Sequence, residues 1–184
     1  VPWAWIYGDI GKANTPSVAD FVESLRYAAI QRVEGTAVYF TPATDLVPAA
    51  FLHNLKHNKV LHERLVFLWT QTLEVPHVTG TARAVLSDKG HGIYTLHAQR
   101  GFQDAVDIQG LFADCAQFYD FEFQMNETSF FLARQTIVSA RHSGMAPWRE
   151  VLFAWLSRNA QAASDYFKIP PNQVIELGAQ IEIY

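Results

Sequence analysis

Apolar positions fall at two distinct periods along the chain, and the switches between them mark out its elements. Phe21, Val22, Leu25 and Ala29 recur at helical spacing after Thr15-Pro-Ser17, where Thr15 is placed to cap and Pro16 suits a first turn. The run from Thr36 to Thr41, bounded by Gly35 and Pro42, predicts a short buried strand. Pro48 then opens a second helix, with Phe51, Leu52 and Leu55 on one side and His53, Asn54, His57 and Asn58 on the other. From Arg64 to Thr72 both alternating faces are apolar, Leu65, Phe67 and Trp69 against Val66 and Leu68. That is the pattern of a strand covered on both sides. If the two strands lie parallel in one sheet, the helix between them is a crossover, right-handed by rule.

Further along, Arg83 to Leu86 and Ile93 to Ala98 flank Ser87-Asp-Lys-Gly-His-Gly92, a loop suited to a hairpin. Ile108, Leu111, Phe112, Cys115 and Phe118 form the stripe of an amphipathic helix, with Asp107 at its positive end. Ser129 to Val138 is a strand candidate. Pro147 opens the longest helical segment, with Trp148, Val151, Leu152, Trp155 and Leu156 on a broad apolar face, and Ile169-Pro-Pro-Asn172 stops it. Ile175, Leu177, Ala179, Ile181 and Ile183 alternate with Glu176, Gln180 and Glu182, which predicts a strand with one wet face. The fold class expected is α/β (mixed α+β): a single domain with a mixed central sheet of about five to six strands flanked by helices. Residues 1–14 hold Trp3, Trp5 and Tyr7 without periodicity and read as an atypical arm or an expression remnant. Residues 15–31 read as a connecting helix, and 32–184 as the main domain.

Composition narrows what such a domain does. Apolar residues make up 49% of the 184 positions, enough for a sizeable core and too many for a disordered chain. Charged residues are only 17%, so much of the surface is uncharged or covered. The net charge of -4 argues against a nucleic-acid partner, which needs clustered Lys and Arg. A lone Cys115 excludes a disulfide framework and any four-thiolate metal site, and suits a reducing compartment. No run approaches the roughly eighteen consecutive apolar residues of a membrane span, and no signal-peptide pattern is present, so these residues alone are not expected to cross a bilayer.

The richest polar cluster is His53-Asn-Leu-Lys-His57-Asn-Lys-Val-Leu-His62-Glu63. His53 and His57 are four apart on one helix face, the spacing of a two-histidine metal site, with His62 or Glu63 as the third ligand. A zincin needs Glu directly after the first His, and Asn54 stands there. The competing reading has these side chains capping the helix and bridging to nearby backbone. Cys115 lies between Phe112 and Phe118 on an apolar stripe, where a thiol acts as a small hydrophobe. No Gly-x-Ser-x-Gly elbow, phosphate loop or Gly-x-Gly-x-x-Gly occurs, so an enzyme reading has no anchor. Arg134, Arg141, Arg149 and Arg158, with Asn159, form a looser basic group that suits a nucleotide ligand if they converge; scattered solvated Arg is the alternative.

Several stretches in order resemble the KUP/HAK/KT potassium-uptake transporters in their cytoplasmic C-terminal portion. They begin at Pro16-Ser-Val-Ala-Asp-Phe-Val-Glu-Ser-Leu25 and sharpen at Arg32-Val-Glu-Gly-Thr-Ala-Val38. The strongest is Pro48-Ala-Ala-Phe-Leu-His-Asn-Leu-Lys-His-Asn-Lys-Val-Leu-His-Glu63. Arg100-Gly-Phe102, where the family has a Tyr-Gly-Phe-like end, Thr128 to Arg134, Met145 to Glu150, Arg158-Asn159 and Val174 to Glu182 follow. The resemblance covers roughly residues 15 to 184 and leaves 1–14 unmatched. It implies a domain on the cytoplasmic side of the inner membrane, part of a multi-span, proton-coupled potassium transporter. Its partner would be the transmembrane portion of the same protein, and no cofactor is implied. The family's ion-binding residues belong to membrane helices that this chain lacks. Some members use this portion for dimer contacts and for control, including by cyclic dinucleotides, which makes a homodimer and a nucleotide ligand further expectations. No ligand-contact residue carries over from the family, and Arg134, Arg149, Arg158 and Asn159 are candidates from their chemistry alone.

Overall fold

The computed structural model describes residues 15–27, 30–41, 43, 45–105, 107–139 and 168–183, with the backbone alone at 134–139 and 179–183. Three helices and six strands are seen among them: α1 (Val18–Leu25), β1 (Gln31–Thr41), α2 (Ala49–Asn58), β2 (Val60–Leu73), β3 (Ala84–Gly90), β4 (Ile93–Gly101), α3 (Ile108–Tyr119), β5 (Thr128–Ser139) and β6 (Val174–Ile183). The strands form one mixed sheet in the order β3-β4-β2-β1-β5-β6. All neighbours are parallel except β3 and β4, so an antiparallel strand closes one edge of a parallel sheet.

The doubled apolar pattern of β2 explains why helices cover both faces. Leu65 and Phe67 point into one core cluster with Ala37 and Tyr39 of β1, under Phe21 and Leu25 of α1 and Phe51 and Leu55 of α2. Val66 and Leu68 point the other way, with Val38, Leu96 and Phe130, against Ile108, Phe112 and Cys115 of α3. The first cluster is knit by rings around Phe51: Phe21 at 5.1 Å, Tyr39 at 5.2 Å and Phe67 at 5.3 Å, all edge-on. Each such pair adds about 0.5–1.5 kcal/mol beyond its buried area. The result is a three-layer α/β domain, as the alternation of patterns predicts.

Local chemistry sets the boundaries, and here the structure corrects several expectations. α1 is capped by Ser17, not Thr15: the Ser17 hydroxyl accepts from the Asp20 N–H at 3.1 Å and donates to the Asp20 carboxylate at 2.7 Å. That helix ends at Leu25, and Gln31 already belongs to β1, so the connecting helix is shorter than its periodicity suggested. Asp107 caps α3 as expected, accepting from the Gln109 N–H at 3.1 Å. Phe118, expected on the stripe of α3, is exposed, and so is Ile175 on β6. The hairpin loop is two residues, not six: β3 runs to Gly90, and His91 and Gly92 turn the chain with φ of 54° and 72°. Positive φ at both central positions is the requirement of a type I′ turn, whose twist matches the strands it joins. The arm at 1–14, Ala29 and the helix expected from Pro147 lie outside the described residues.

Candidate functional site

Two of the polar groupings sit on α2 and the strand beside it. The apolar face of α2 packs on the sheet, yet Asn54 is also buried, and it is the anchor of a small polar network. Asn54 donates from Nδ2 to the buried Tyr39 hydroxyl at 2.8 Å, and its Oδ1 accepts from Asn58 Nδ2 at 2.5 Å. Burial pushes the Tyr39 hydroxyl well above the ordinary phenol pKa, against the opposing bond from Asn54. Asn54 therefore belongs to the packed side of the helix, where the sequence reading had placed it with the polar face.

His53 and His57 project outward from α2, both exposed, with ring centroids 4.6 Å apart. His62 lies elsewhere, on β2, half-buried with its ring edge-on to Phe131 at 6.0 Å. Burial lowers its pKa, favouring the neutral imidazole. Thus two of the three histidines expected at a metal site share a face and the third does not join them. Among the described residues no group of three His, Cys, Asp or Glu side chains is placed to hold a metal ion. Cys115 is fully buried, and burial, then the nearby Asp114 charge, pushes its thiol up to about 12. A thiol so protonated is a packing group. Arg134 is described only as a backbone position of β5, opposite Gly178 of β6, while Arg141, Arg149, Arg158 and Asn159 lie outside the described residues.

A second grouping, missed in the sequence, ties the amino end of the sheet together. Arg32 Nη1 donates to the His62 carbonyl at 3.0 Å, and Nη2 donates to the His91 carbonyl at 2.7 Å. One guanidinium fork thereby joins β1, β2 and the β3–β4 turn. Gly92 allows the turn to close: a Cβ there would lie 2.2 Å from the Glu63 carbonyl oxygen. Gly35 sits at a bulge in β1 with φ of 97°, where a Cβ would meet the Glu127 carbonyl oxygen at 2.7 Å. The stretches Arg32 to Val38 and Pro48 to Glu63 are therefore one physical unit: two adjacent parallel strands, the helix between them and their clamp.

The carboxyl end of the sheet carries the remaining features. Trp69 and His97, in register on β2 and β4, stack at 4.0 Å, and His97 Nε2 is buried without a partner among the described residues. Burial lowers the pKa of that imidazole. Asp104 accepts from the Gly101 N–H at 2.7 Å, the Val78 N–H at 2.9 Å and His77 Nδ1 at 2.7 Å. The His77 and backbone donors hold its carboxyl down to about 2. A small cavity of about 40 Å³ opens between this end and α3, lined by Thr70, Arg83, Arg100, Asp107, Ile108 and Leu111. Its two guanidinium groups face opposing charge, since Asp107 lines the same space and Arg83 Nε stands 3.3 Å from the Asp114 carboxylate. That balance gives it no surplus positive charge for a phosphate.

Among the described residues no helix is long and apolar enough to cross a membrane. Residues 34–183 match the family model described as K+ potassium transporter C-terminal domain. The chain is 48% identical over 170 residues to a probable potassium transport system protein Kup of Polynucleobacter asymbioticus, covering 92% of this chain and 26% of that protein. A protein of the same name from Azoarcus sp. is 48% identical over 172 residues, 94% of this chain and 27% of its own length. Another, from Burkholderia ambifaria, is 45% identical over 163 residues, 89% of this chain and 26% of its own. The chain thus spans about a quarter of the length of the curated relatives it matches. No solved structure matches it. The matched span runs from the bulge of β1 to the last residue of β6, through the whole sheet, and the chain belongs to the K+ potassium transporter C-terminal domain family.

Proposed function

We propose that this chain is the cytoplasmic-side domain of a proton-coupled potassium uptake transporter, and that it acts on the membrane part through contacts and not through bond chemistry. The observation that carries the reading is the family match over residues 34–183, together with relatives about four times as long that are named for potassium transport. Several groups with potential chemistry are committed to holding the fold: Cys115 packs in the core, Asn54 bonds Tyr39, and Arg32 clamps three backbone segments. A domain of this kind biases a transporter by touching it differently in different conformations, which is a coupling free energy between two parts of one protein.

The test removes residues 31–183 from a full-length transporter that carries them, then measures potassium uptake and the amount of protein in the membrane. The expected result is altered uptake, or altered assembly, with the membrane part still inserted. Unchanged uptake at unchanged abundance defeats the reading. The nucleotide-sensing alternative draws no support from the described residues, where Arg83 and Arg100 share their cavity with Asp107.

A further inference from the structure

We infer that the carboxyl end of the sheet is the surface on which the upstream part of the same transporter docks; the inference rests on the proposed function above. Seven exposed large hydrophobic side chains among the described residues divide between the two ends of the sheet. Phe102 is 56% exposed, Leu46 and Val75 43% each, and Val85 40%. All four lie at one end. Val75 follows the last residue of β2, Phe102 follows the last of β4, Val85 pairs with His97 near that end, and Leu46 lies in the connection leaving β1. The other three, Tyr27, Phe118 and Ile175, lie toward the opposite end on separate elements: after α1, in the last turn of α3 and at the start of β6.

Phe102 and Val75 are held in place. The Phe102 N–H donates to the Val75 carbonyl at 2.9 Å, and the Gln103 N–H to the Pro76 carbonyl at 3.1 Å. Asp104 bonds both loops through Gly101 and Val78, and a Cβ on Gly101 would lie 2.2 Å from the Pro76 carbonyl oxygen. An exposed ring on a fixed, close-packed loop pair loses little freedom when covered, so it presents a pre-organised contact. Further back on β2 and β4, the half-buried Trp69 and His97 rings stack at 4.0 Å and stiffen the same end of the sheet.

The occupant follows from where the chain comes in. The Val18 N–H donates to the Asp45 carbonyl at 2.9 Å and the Val47 N–H to the Pro16 carbonyl at 3.1 Å, with Ser17 bridged to Leu46. Whatever lies upstream of residue 15 therefore reaches the domain beside exposed Leu46. About three quarters of each relative's length is not matched by this chain, and the family model is a C-terminal domain, which puts that mass upstream. Glu74, Asp104 and Asp107 alternate there with Arg83 and Arg100, and a rim of both signs suits a protein surface better than a layer of anionic lipid headgroups.

The experiment places a photo-reactive amino acid at Phe102, and separately at Tyr27 near the opposite end, in the full-length transporter in membranes. The expected result is an intramolecular cross-link to the upstream part from position 102, in severalfold higher yield than from position 27. Equal yields, preference for position 27, or products from 102 joining lipid or a second copy overturn the inference. Deletion of the domain reads the proposed function separately: altered uptake with no cross-link from 102 sinks the docking surface alone, whereas a cross-link from 102 with uptake indifferent to deletion upholds the surface and sinks the function.

Discussion

Arg32 and His91, fifty-nine residues apart in sequence, are joined by a 2.7 Å hydrogen bond from the guanidinium to the turn carbonyl. The same side chain reaches the His62 carbonyl at 3.0 Å, so one residue at the start of β1 fixes the amino ends of three strands. Arg32→Ala is expected to lower stability by about 1–2 kcal/mol, the scale of a few hydrogen bonds from a charged donor that remain open to water. Arg32→Lys restores less than half, because a point charge cannot bridge two carbonyls in the geometry of a planar fork. Urea denaturation checks both; a lysine variant as stable as the parent contradicts the clamp.

Gly92 and Gly80 separate conformation from crowding. Both have positive φ, 72° and 70°, but a Cβ at 92 would sit 2.2 Å from the Glu63 carbonyl oxygen, whereas nothing lies within 4 Å of one at 80. Gly80→Ala is expected to cost about 1–2 kcal/mol, the penalty of a left-handed L residue. Gly92→Ala carries that penalty and the displacement of β2 from the turn, so its thermal midpoint should fall well below that of Gly80→Ala. Equal midpoints would show that the turn does not press on β2.

Removing the Tyr39 hydroxyl leaves the buried Asn54 amide short of a partner at 2.8 Å. Tyr39→Phe is expected to destabilise by about 1–3 kcal/mol despite keeping the ring, because an unsatisfied buried donor bears its desolvation cost in full. Equilibrium unfolding measures this directly, and a neutral result means that the amide finds another acceptor.

Cys115 should be silent toward thiol reagents at neutral pH in the native state and react fully, as a single thiol, once the chain is unfolded. Its burial and its thiol pushed up to about 12 remove the thiolate on which modification depends. Fast labelling of the folded protein contradicts the packing of α3 on the sheet.

Asp104 supplies an acid-sensitive contribution with a definite sign. Its carboxyl is held at about 2 against an ordinary 3.8, so the folded state favours the carboxylate. The stabilisation is present above pH 3.8 and fades as pH falls toward 2, where both states bind the proton. Asp104→Asn should therefore lower the urea midpoint at neutral pH, with the gap to the parent narrowing toward pH 2. A gap constant with pH would show that the carboxylate charge plays no part in joining the two loops.

The layers of the fold were legible because burial leaves periodic marks. Leu65 to Leu68 announce a strand with two covered faces, and Ile108, Leu111, Phe112 and Cys115 a helix with one. Less legible were features set by backbone geometry. Gly35 and Gly92 read as turn signals, yet their roles depend on Glu127 and Glu63, distant in sequence and brought close by strand pairing. Asn54 read as a surface residue because its partner, Tyr39, lies across the helix–sheet interface. Arg32 left no local trace, since all its acceptors are main-chain carbonyls, which every residue type supplies. The exposed apolar residues of the carboxyl end were invisible for a similar reason: Leu46, Val75, Val85 and Phe102 come from four separate segments.

Hydrogen exchange of a full-length transporter carrying this domain, compared in membranes between potassium-loaded and potassium-free conditions, tests the proposed coupling between the domain and transport most directly. A domain that steers transport through state-dependent contacts must itself respond to the transport state, because coupling is reciprocal. The account predicts that amide protection around Val75 and Phe102 changes between the two conditions while the core strands β1 and β2 stay the same. Identical exchange throughout the domain in both conditions, with transport intact, would contradict it.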